Sequence, residues 1–593
     1  MKALARLNHY LLKYWLRLLL GTVFIVLSNL YAVVPAKVIR IAFDHIAAPG
    51  TVRLDVLGRD LLAGLDMPMA LLMLGGVIVA SALLKGVFMF FMRQTIVIMS
   101  RLIEFDQKNE IYAHYQRLSA AFFKRNSTGD LMARITEDVS RVRMYLGPAI
   151  MYTVNLVVLF ILVIWNMLEV SVTLTLYVLI PLPLLSILIY VVSARINARS
   201  EEVQRQLSTL STFVQEAFSG IRVLKAYAKE DEWTNEFSRE TDGFKHVSLR
   251  LVKTNAFFAP AMIMLIGLST LLTVYVGGNE AIAGRISAGN IAEFIIYINM
   301  LTWPVAALGW VTSIVQRAAA SQQRINEFLD STPDIINPSK EPLKVKGDVR
   351  FENVSLVYPD SGIRALNGVS FHIEAGTSLA ILGRTGSGKS TIAALLARVY
   401  DATSGRVLID GKDIRTINLD DLRRQTGVVP QEVFLFSDTI GNNIAFGVAG
   451  GADQARIELA ATRADIHDSI VNFPEGYETR VGERGITLSG GQKQRISIAR
   501  AIIKEPSILV FDDCLSAVDT ETEETILGHL RQLMAGRTTV IISHRVSSVR
   551  NADQIIVLDE GRIIEQGDHT TLLAAGGAYY ALYQKQLLED SPN

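Results

Sequence analysis

Apolar residues in the first half of the chain gather into runs that are too long for most soluble helices. Six of them lie near residues 18–41, 69–98, 150–167, 172–193, 257–277 and 291–315. These runs reach or approach the ~20 residues that an α-helix needs to cross a bilayer. Only Leu168-Glu169-Val170 separates the third from the fourth, so those two predict an antiparallel helical pair. Two long polar stretches, 99–143 and 194–254, are rich in Lys and Arg, whereas 44–67, 168–171 and 278–290 hold few basic residues. The bias of basic residues toward the inner side puts both termini and the two long stretches in the cytoplasm, with short loops outside. Heptad-like apolar spacing continues through Leu102, Ile103 and Phe105, and again through Val203, Leu207, Leu210, Phe213 and Val214. The membrane helices are therefore expected to run on into the cytoplasm as rods. The rods end in polar turn segments at 124–130 and 219–222, placed to dock on another domain.

The pattern changes near residue 330. A stretch bearing Pro333, Pro338 and Pro342 reads as a linker, and from Val349 onward short β-rich runs alternate with helical ones. Alternation of that kind indicates an α/β domain. The expected fold class is an α-helical transmembrane domain of six helices with long cytoplasmic extensions, followed by an α/β domain. The expected boundaries are 1–325 for the membrane domain, 326–348 for the linker and 349–593 for the α/β domain.

Composition agrees with a membrane protein. Half of the 593 residues are hydrophobic, and the mean hydropathy is +0.30. The formal net charge is zero, so nothing global points to nucleic acid. Cys514 is the single cysteine, which excludes an intrachain disulfide. The spaced positive charges of MKALARLNHYLLKYWLRLLL suit an amphipathic segment on the membrane surface better than a cleaved signal peptide. Lys37, Arg40 and Lys85 lie within apolar runs, where charge is costly. Such residues either snorkel to the interface or face an interior cavity. Glu293 is expected at the interface, and Pro35, Pro181, Pro183 and Pro304 are expected to bend their helices. Phe88, Phe90, Phe91, Met92, Tyr297, Met300 and Trp303 either line an apolar cavity or pack against protein and lipid.

The chemistry of the second half centres on GRTGSGKST, residues 383–391. It fits G-x-x-x-x-G-K-[ST] through Gly383, Gly388, Lys389 and Ser390, between an apolar strand run and a helical run. In such a loop the backbone N–H groups, including those of Arg384, Thr385, Gly386 and Ser387, turn inward on a phosphate chain. The helix that opens at Thr391 aims its positive end at the same anion. Lys389 reaches the β- and γ-phosphates, and the Ser390 hydroxyl is a Mg²⁺ ligand. About 120 residues downstream, Ile508-Leu509-Val510-Phe511-Asp512 is an apolar strand ending in a carboxylate that suits the same metal. Leu488-Ser489-Gly490-Gly491-Gln492 precedes a helical run and predicts a second anion-binding helix start. Two such ends in one domain suggest that they serve one nucleotide from opposite sides of an interface between two domains.

These motifs together resemble the ABC transporter family, in its exporter type with one membrane domain fused to one nucleotide-binding domain. The resemblance covers essentially the whole chain, and LSGGQ is its most specific element. It implies ATP and Mg²⁺ as cofactors. By that resemblance Tyr358 is the aromatic residue that stacks on adenine, and Gln431 senses Mg²⁺ and contacts the membrane domain. Ser489, Gly490, Gly491 and Gln492 bind the partner's ATP, and His544 contacts the γ-phosphate. The stretch 479–485 resembles an exporter-specific segment, 516–519 resembles the D-loop, and the tips near Gly129 and Gly220 resemble the two coupling helices.

One position departs from the pattern. After the Walker B aspartate the family usually carries Glu, and here stands Asp513. The side chain is one methylene shorter, so its carboxylate falls about 1 Å or more short of an attacking water. The resulting expectation is a degenerate subunit of a heterodimeric exporter, whose own site holds ATP and hydrolyses it poorly while its LSGGQ completes the partner's site. A homodimer that tolerates the acidic swap is the alternative, followed by a nucleotide-gated channel or regulatory subunit. The expected partners are a second half-transporter and membrane lipid, with no nucleic acid. The expected location is the cell membrane, and the expected cargo is a drug-like or lipid-like compound.

Overall fold

A computed structural model describes residues 2–48, 55–56, 59–60, 62, 64–482, 488–514, 528 and 534–590. The chain divides into two compact units, Met1–His114 with Gly129–Ser331, and Tyr115–Thr128 with Thr332–Asn593.

The first unit is helical. Among the described residues six helices are long and apolar enough to cross a membrane: Trp15–Ala47, Met67–Arg117, Thr128–Val170, Val172–Ser219, Glu230–Ile282 and Ala288–Leu329. At about 1.5 Å rise per residue, the 51 residues of the second span roughly 75 Å, far more than a bilayer. The surplus makes the rods. The third and fourth helices meet at Ser171, whose hydroxyl accepts from the backbone N–H of Leu174 at 3.2 Å and starts the new helix. Pro35 and Pro304 sit inside their helices. Pro181 and Pro183 do not: the fourth helix is interrupted at Ile180, and both prolines fall in the first turn of Pro181–Ser219. There the missing N–H has no intrahelical partner to lose. The third helix contains π-helical turns at Arg134–Asp138 and Tyr145–Ala149.

Buried polar contacts fix the first and last membrane helices together. Glu293, expected at the interface from its place near the start of the last span, is fully buried within the helical unit. It accepts from Tyr297 Oη at 2.7 Å and Asn290 Nδ2 at 3.2 Å, and Arg40 lies 3.5 Å away. A buried carboxylate persists only when it is paired and hydrogen-bonded in this way. Nearby, Asp44 accepts from the Gly289 N–H at 2.9 Å and the Ser287 hydroxyl at 2.8 Å. A side chain at Gly289 would stand 2.5 Å from the Arg40 carbonyl, so only glycine allows that approach. At the far end of the rods, Arg324 makes a bidentate pair with the buried Asp138, its Nε donating at 3.0 Å. Gln107 Nε2 donates to Gln322 Oε1 at 3.1 Å beside it.

The second unit is α/β. Strands β1 (Asp55–Val56) and β2 (Arg59–Asp60) belong to the first unit, so its strands begin at β3 (Val349–Val357). β4 (Arg364–Ile373), β5 (Ser378–Gly383), β6 (Ser404–Ile409), β7 (Lys412–Asp413) and β8 (Thr426–Val429) follow. The last are β9 (Ile508–Asp512), β10 (Thr538–Ile542), β11 (Gln554–Asp559) and β12 (Arg562–Gly567). One sheet has the order β12-β11-β5-β10-β9-β8, parallel except for the β11–β12 hairpin, and the other has β4-β3-β6-β7. Strands β5, β9 and β10 are buried along their whole length, as a parallel sheet covered on both faces requires. Alternation then assigns their side chains to two cores. Ala380, Leu382, Leu509 and Phe511 join one, and Leu379, Ile381, Ile508 and Val510 the other. The second core also takes in Ala121, from the short helix Ala120–Arg125 that belongs to this unit. The tip at 124–130, expected to dock on another domain, thus lies in part within the α/β unit. The other tip, the helix Ile221–Ala226 of the first unit, has no buried residue.

Candidate nucleotide site

The P-loop and three of the expected polar side chains meet at the carboxyl ends of the parallel strands of the second unit. The P-loop leaves β5, Gln431 follows β8, Asp512 ends β9 and His544 follows β10. Open α/β sheets bind ligands in the crevice outside those ends. A cavity of about 290 Å³ opens there. It is lined by Tyr358, Thr385, Gly386, Gly388, Lys389, Ser390, Thr391, Gln431, Asp512, Asp513 and His544, all expected from the sequence. Ile363, Ala365 and Ile542 complete the wall. They are ordinary apolar strand-end residues, and nothing local in the sequence marks them.

The loop owes its shape to glycine. Gly388 takes φ = +100°, and a Cβ there would meet the Ala365 carbonyl at 2.3 Å. The helix Lys389–Leu396 begins immediately after it, its first N–H groups facing the cavity mouth. Gly383, Arg384 and Ser387 shape the loop without lining the cavity. The carbonyls of Gly383 and Arg384 each accept from Lys389 Nζ at 2.8 Å. Burial holds the Lys389 ammonium below its usual pKa, although the carboxylates of Asp513 and Asp512 act against the shift.

Two side-chain pairs meet in the site. The Ser390 hydroxyl donates to Asp512 Oδ1 at 2.9 Å. Gln431 Nε2 donates to Asp513 Oδ2 at 3.3 Å. Burial pushes the Asp512 carboxyl above the usual carboxylate range; the Ser390 hydrogen bond lowers it in part, and the neighbouring Asp513 raises it further. Asp513 adopts φ = +46°, a left-handed conformation that Asp tolerates better than most residues. Its N–H donates to the Ile542 carbonyl at 2.8 Å, which ties the end of β9 to β10.

Tyr358 forms the opposite wall. Its hydroxyl lies 3.0 Å from Thr391 Oγ1, and its ring meets Tyr400 edge-on with centroids 5.2 Å apart. Lys124 Nζ stands 5.2 Å from the Tyr358 centroid and 5.5 Å from that of Tyr400. Burial lowers the Lys124 pKa, but the hydrogen bond and charge of Tyr400, with Tyr358 and Asp360, outweigh it and hold the ammonium above its usual value. Sequence reading missed this cation, because the contact spans more than two hundred residues of chain.

Ser489, Gly490, Gly491 and Gln492 do not line this cavity. They open the helix Gly490–Ile502 through a capping box: Ser489 Oγ accepts from the Gln492 N–H at 3.2 Å, and Gln492 Oε1 from the Ser489 N–H at 2.9 Å. The N–H groups of Gly490 and Gly491 remain outside that box. Residues 483–487 and 515–520 lie outside the described residues, and with them all of the 516–519 stretch and part of 479–485. Among the described residues no group of three or more His, Cys, Asp or Glu side chains converges as a metal cluster.

Comparison with known proteins shows the family. Residues 18–305 match the ABC transporter transmembrane region, and residues 366–516 match the ABC transporter domain. The chain is 38% identical over 510 residues to an ATP-dependent lipid A-core flippase of Syntrophus aciditrophicus (strain SB), covering 86% of this chain and 84% of the relative. It is 35% identical over 591 residues to the multidrug resistance-like ATP-binding protein MdlA of Escherichia coli (strain K12), covering 99% and 97%. A solved bacterial Atm1-family ABC exporter with ATP bound superposes with a TM-score of 0.78 at 27% identity, covering 96% of this chain and 99% of that one. The chain therefore belongs to the ABC transporter family, as an ATPase-coupled exporter with its transmembrane region and its ATPase domain fused in one polypeptide.

Proposed function

We propose that the chain is one half of a dimeric exporter that moves a hydrophobic or amphipathic compound, of drug or lipid class, across the cell membrane. The observation that carries the dimer is the separation of the two phosphate-binding ends. The P-loop lines the nucleotide cavity, and the signature residues do not. In a head-to-tail pair each signature helix faces the other chain's P-loop. The exposed tip around Phe218, Ile221, Val223 and Tyr227 supports the same arrangement, because it offers apolar surface to a second ATPase domain. The basic stretches 99–143 and 194–254 support an orientation with both termini and the ATPase domain in the cytoplasm.

Roles follow from the geometry. Tyr358 stacks on adenine, residues 383–391 cradle the phosphates, and Lys389 exchanges its two loop carbonyls for phosphate oxygens. Ser390 and Asp512 present paired oxygens, the hard donor set that Mg²⁺ takes alongside phosphate, with Gln431 at its edge. Mg²⁺ would neutralise charge on the transferring phosphoryl group. Asp513 orients the attacking water, and His544 contacts the γ-phosphate. Binding energy from both P-loop and signature favours the closed pair of domains, the differential interaction that a two-state switch requires.

The finer reading is a heterodimer in which this chain supplies the weakly hydrolytic site. It rests on Asp513, which the homodimer alternative treats as a tolerated swap. The test is ATP turnover by the purified chain alone and with a candidate partner. Robust turnover by this chain alone, abolished by Asp513→Ala, would leave the homodimer standing and remove the heterodimer.

A further inference from the structure

The last helix, Ala578–Asp590, carries a glutamine on its inward stripe. Tyr579 is fully buried, and Leu582 and Tyr583 pack on the same core. Gln586 follows them at the spacing i, i+3, i+4, i+7, so it points the same way. A polar side chain on that stripe must satisfy its amide. Gln586 does so on one short stretch of backbone. Its Nε2 donates to the His544 carbonyl at 2.6 Å, and its Oε1 accepts from the Val546 N–H at 2.6 Å. Residues 543–546 follow β10 and belong to neither strand nor helix, so no ladder holds their backbone. On the other side of His544, the Ser543 N–H donates to the carbonyl of Ile381, on the strand that leads into the P-loop, at 3.2 Å. His544 stands between these two anchors, and its side chain lines the nucleotide cavity along with Lys389, Asp512 and Asp513.

The helix that presents Gln586 is itself held in place. Glu565, on β12, accepts from the N–H groups of Ala578 at 2.5 Å and Tyr579 at 2.8 Å, which satisfies the helix start. Tyr579 Oη lies 2.6 Å from His569 Nδ1. Val546 and Val549, just beyond His544, join the same buried core as Tyr579. Gripping the His544 carbonyl and the Val546 N–H fixes both planar peptide units that flank Arg545, and the first of these sets ψ of His544. We infer that Gln586 is a positioning residue for His544, aiming its imidazole at the γ-phosphate by fixing the backbone on which it stands. The inference rests on the reading of His544 as the γ-phosphate contact, and it adds the residue that orients that contact. Hydrogen bonds weaken steeply as their angle closes, so a rotated peptide plane costs this contact and leaves the P-loop untouched.

The test uses the full chain in nanodiscs with Mg²⁺. It reads the dissociation constants of AMP-PNP, which carries a γ-phosphoryl group and resists hydrolysis, and of ADP, which lacks that group. His544→Ala is expected to lower the affinity ratio of AMP-PNP to ADP by about tenfold, and Gln586→Met by roughly threefold or more, the scale of a hydrogen bond to a charged group. ADP affinity is expected to stay unaltered in both, which a general loosening of the domain would not allow. The double variant Gln586→Met/His544→Ala is expected to match His544→Ala alone, because a residue that acts through His544 then has nothing left to orient. Should Gln586→Met also weaken ADP binding, Gln586→Glu carries the same expectation, since it keeps the acceptor for the Val546 N–H and loses the donor to the His544 carbonyl. If His544→Ala lowers the ratio and the Gln586 variant does not, the inference is overturned and the His544 reading stands. A full further loss on adding Gln586→Met to His544→Ala would overturn it equally. A ratio unchanged in His544→Ala would remove the γ-phosphate reading, and the inference with it.

Discussion

Gln431 and Asp513 meet across 3.3 Å at the ends of neighbouring strands β8 and β9. The amide therefore reaches the shortened carboxylate directly, at the point where the family's longer glutamate would extend further into the cavity. The contact joins a side chain two residues beyond β8 to the carboxylate that follows Asp512 at the end of β9.

Restoring the methylene is the sharpest test of that geometry. In a dimer with a complementary partner, Asp513→Glu is expected to raise turnover at this chain's own site by on the order of 10- to 100-fold, the scale that a displacement of about 1 Å controls. Asp513→Ala is expected to leave the dimer's turnover nearly unchanged. Steady-state phosphate release reads both. A fall in rate with Asp513→Glu would show that the aspartate is the working base.

Ser390 and Asp512 make a prediction about metal. Ser390→Ala removes one oxygen of the pair at 2.9 Å. With Mg²⁺ present, ATP affinity is expected to fall roughly tenfold, the loss of one good ligand interaction. With EDTA present, wild type and variant are expected to bind ATP alike. Fluorescent-nucleotide titrations with and without Mg²⁺ measure the difference, and an equal loss in both conditions would argue against the metal role.

Lys124 is tied to the Tyr358 and Tyr400 rings. A cation over an aromatic face at a partly exposed site contributes about 0.5–1 kcal/mol. Lys124→Ala should accordingly speed amide exchange in the helix Ala120–Arg125 by about 2- to 5-fold, and Lys124→Arg should restore most of the protection. Hydrogen–deuterium exchange by mass spectrometry resolves this segment. Unchanged exchange in Lys124→Ala would mean that Ala121 burial alone holds the tip.

Asp138 is buried, and Arg324 is its bidentate partner. Arg324→Ala strands the carboxylate, at a cost of about 1–3 kcal/mol, moderated because Arg141 lies 4.0 Å away and Arg324 itself is partly solvated. The melting temperature in detergent should drop. Adding Asp138→Asn to Arg324→Ala should recover part of that drop, since no buried charge is then left alone. A double variant less stable than the single one would contradict this account.

Much of the architecture follows from local pattern. Six apolar runs, the basic stretches between them and the strand–loop–helix context of residues 383–391 are periodicities that a short window contains. Gly388 and Lys389 were identifiable because only a few residue types permit that backbone and that charge. Local pattern is silent where a distant partner decides. Nothing around Glu293 in the sequence announces Arg40, whose pairing, with the hydrogen bonds of Asn290 and Tyr297, makes its burial tolerable. At Pro181 the fourth helix is interrupted and restarts, a break of the kind a proline causes. Lys85 had two readings, and only the packing of other helices around it places it on a cavity. The sequence alone determined which residues have the chemistry for nucleotide and membrane, because backbone freedom, charge and hydropathy are properties of each residue. Tertiary structure decided which of them meet, such as Arg40 with Glu293 and Lys124 with Tyr358, because those contacts depend on closure of long stretches of chain that no local pattern encodes.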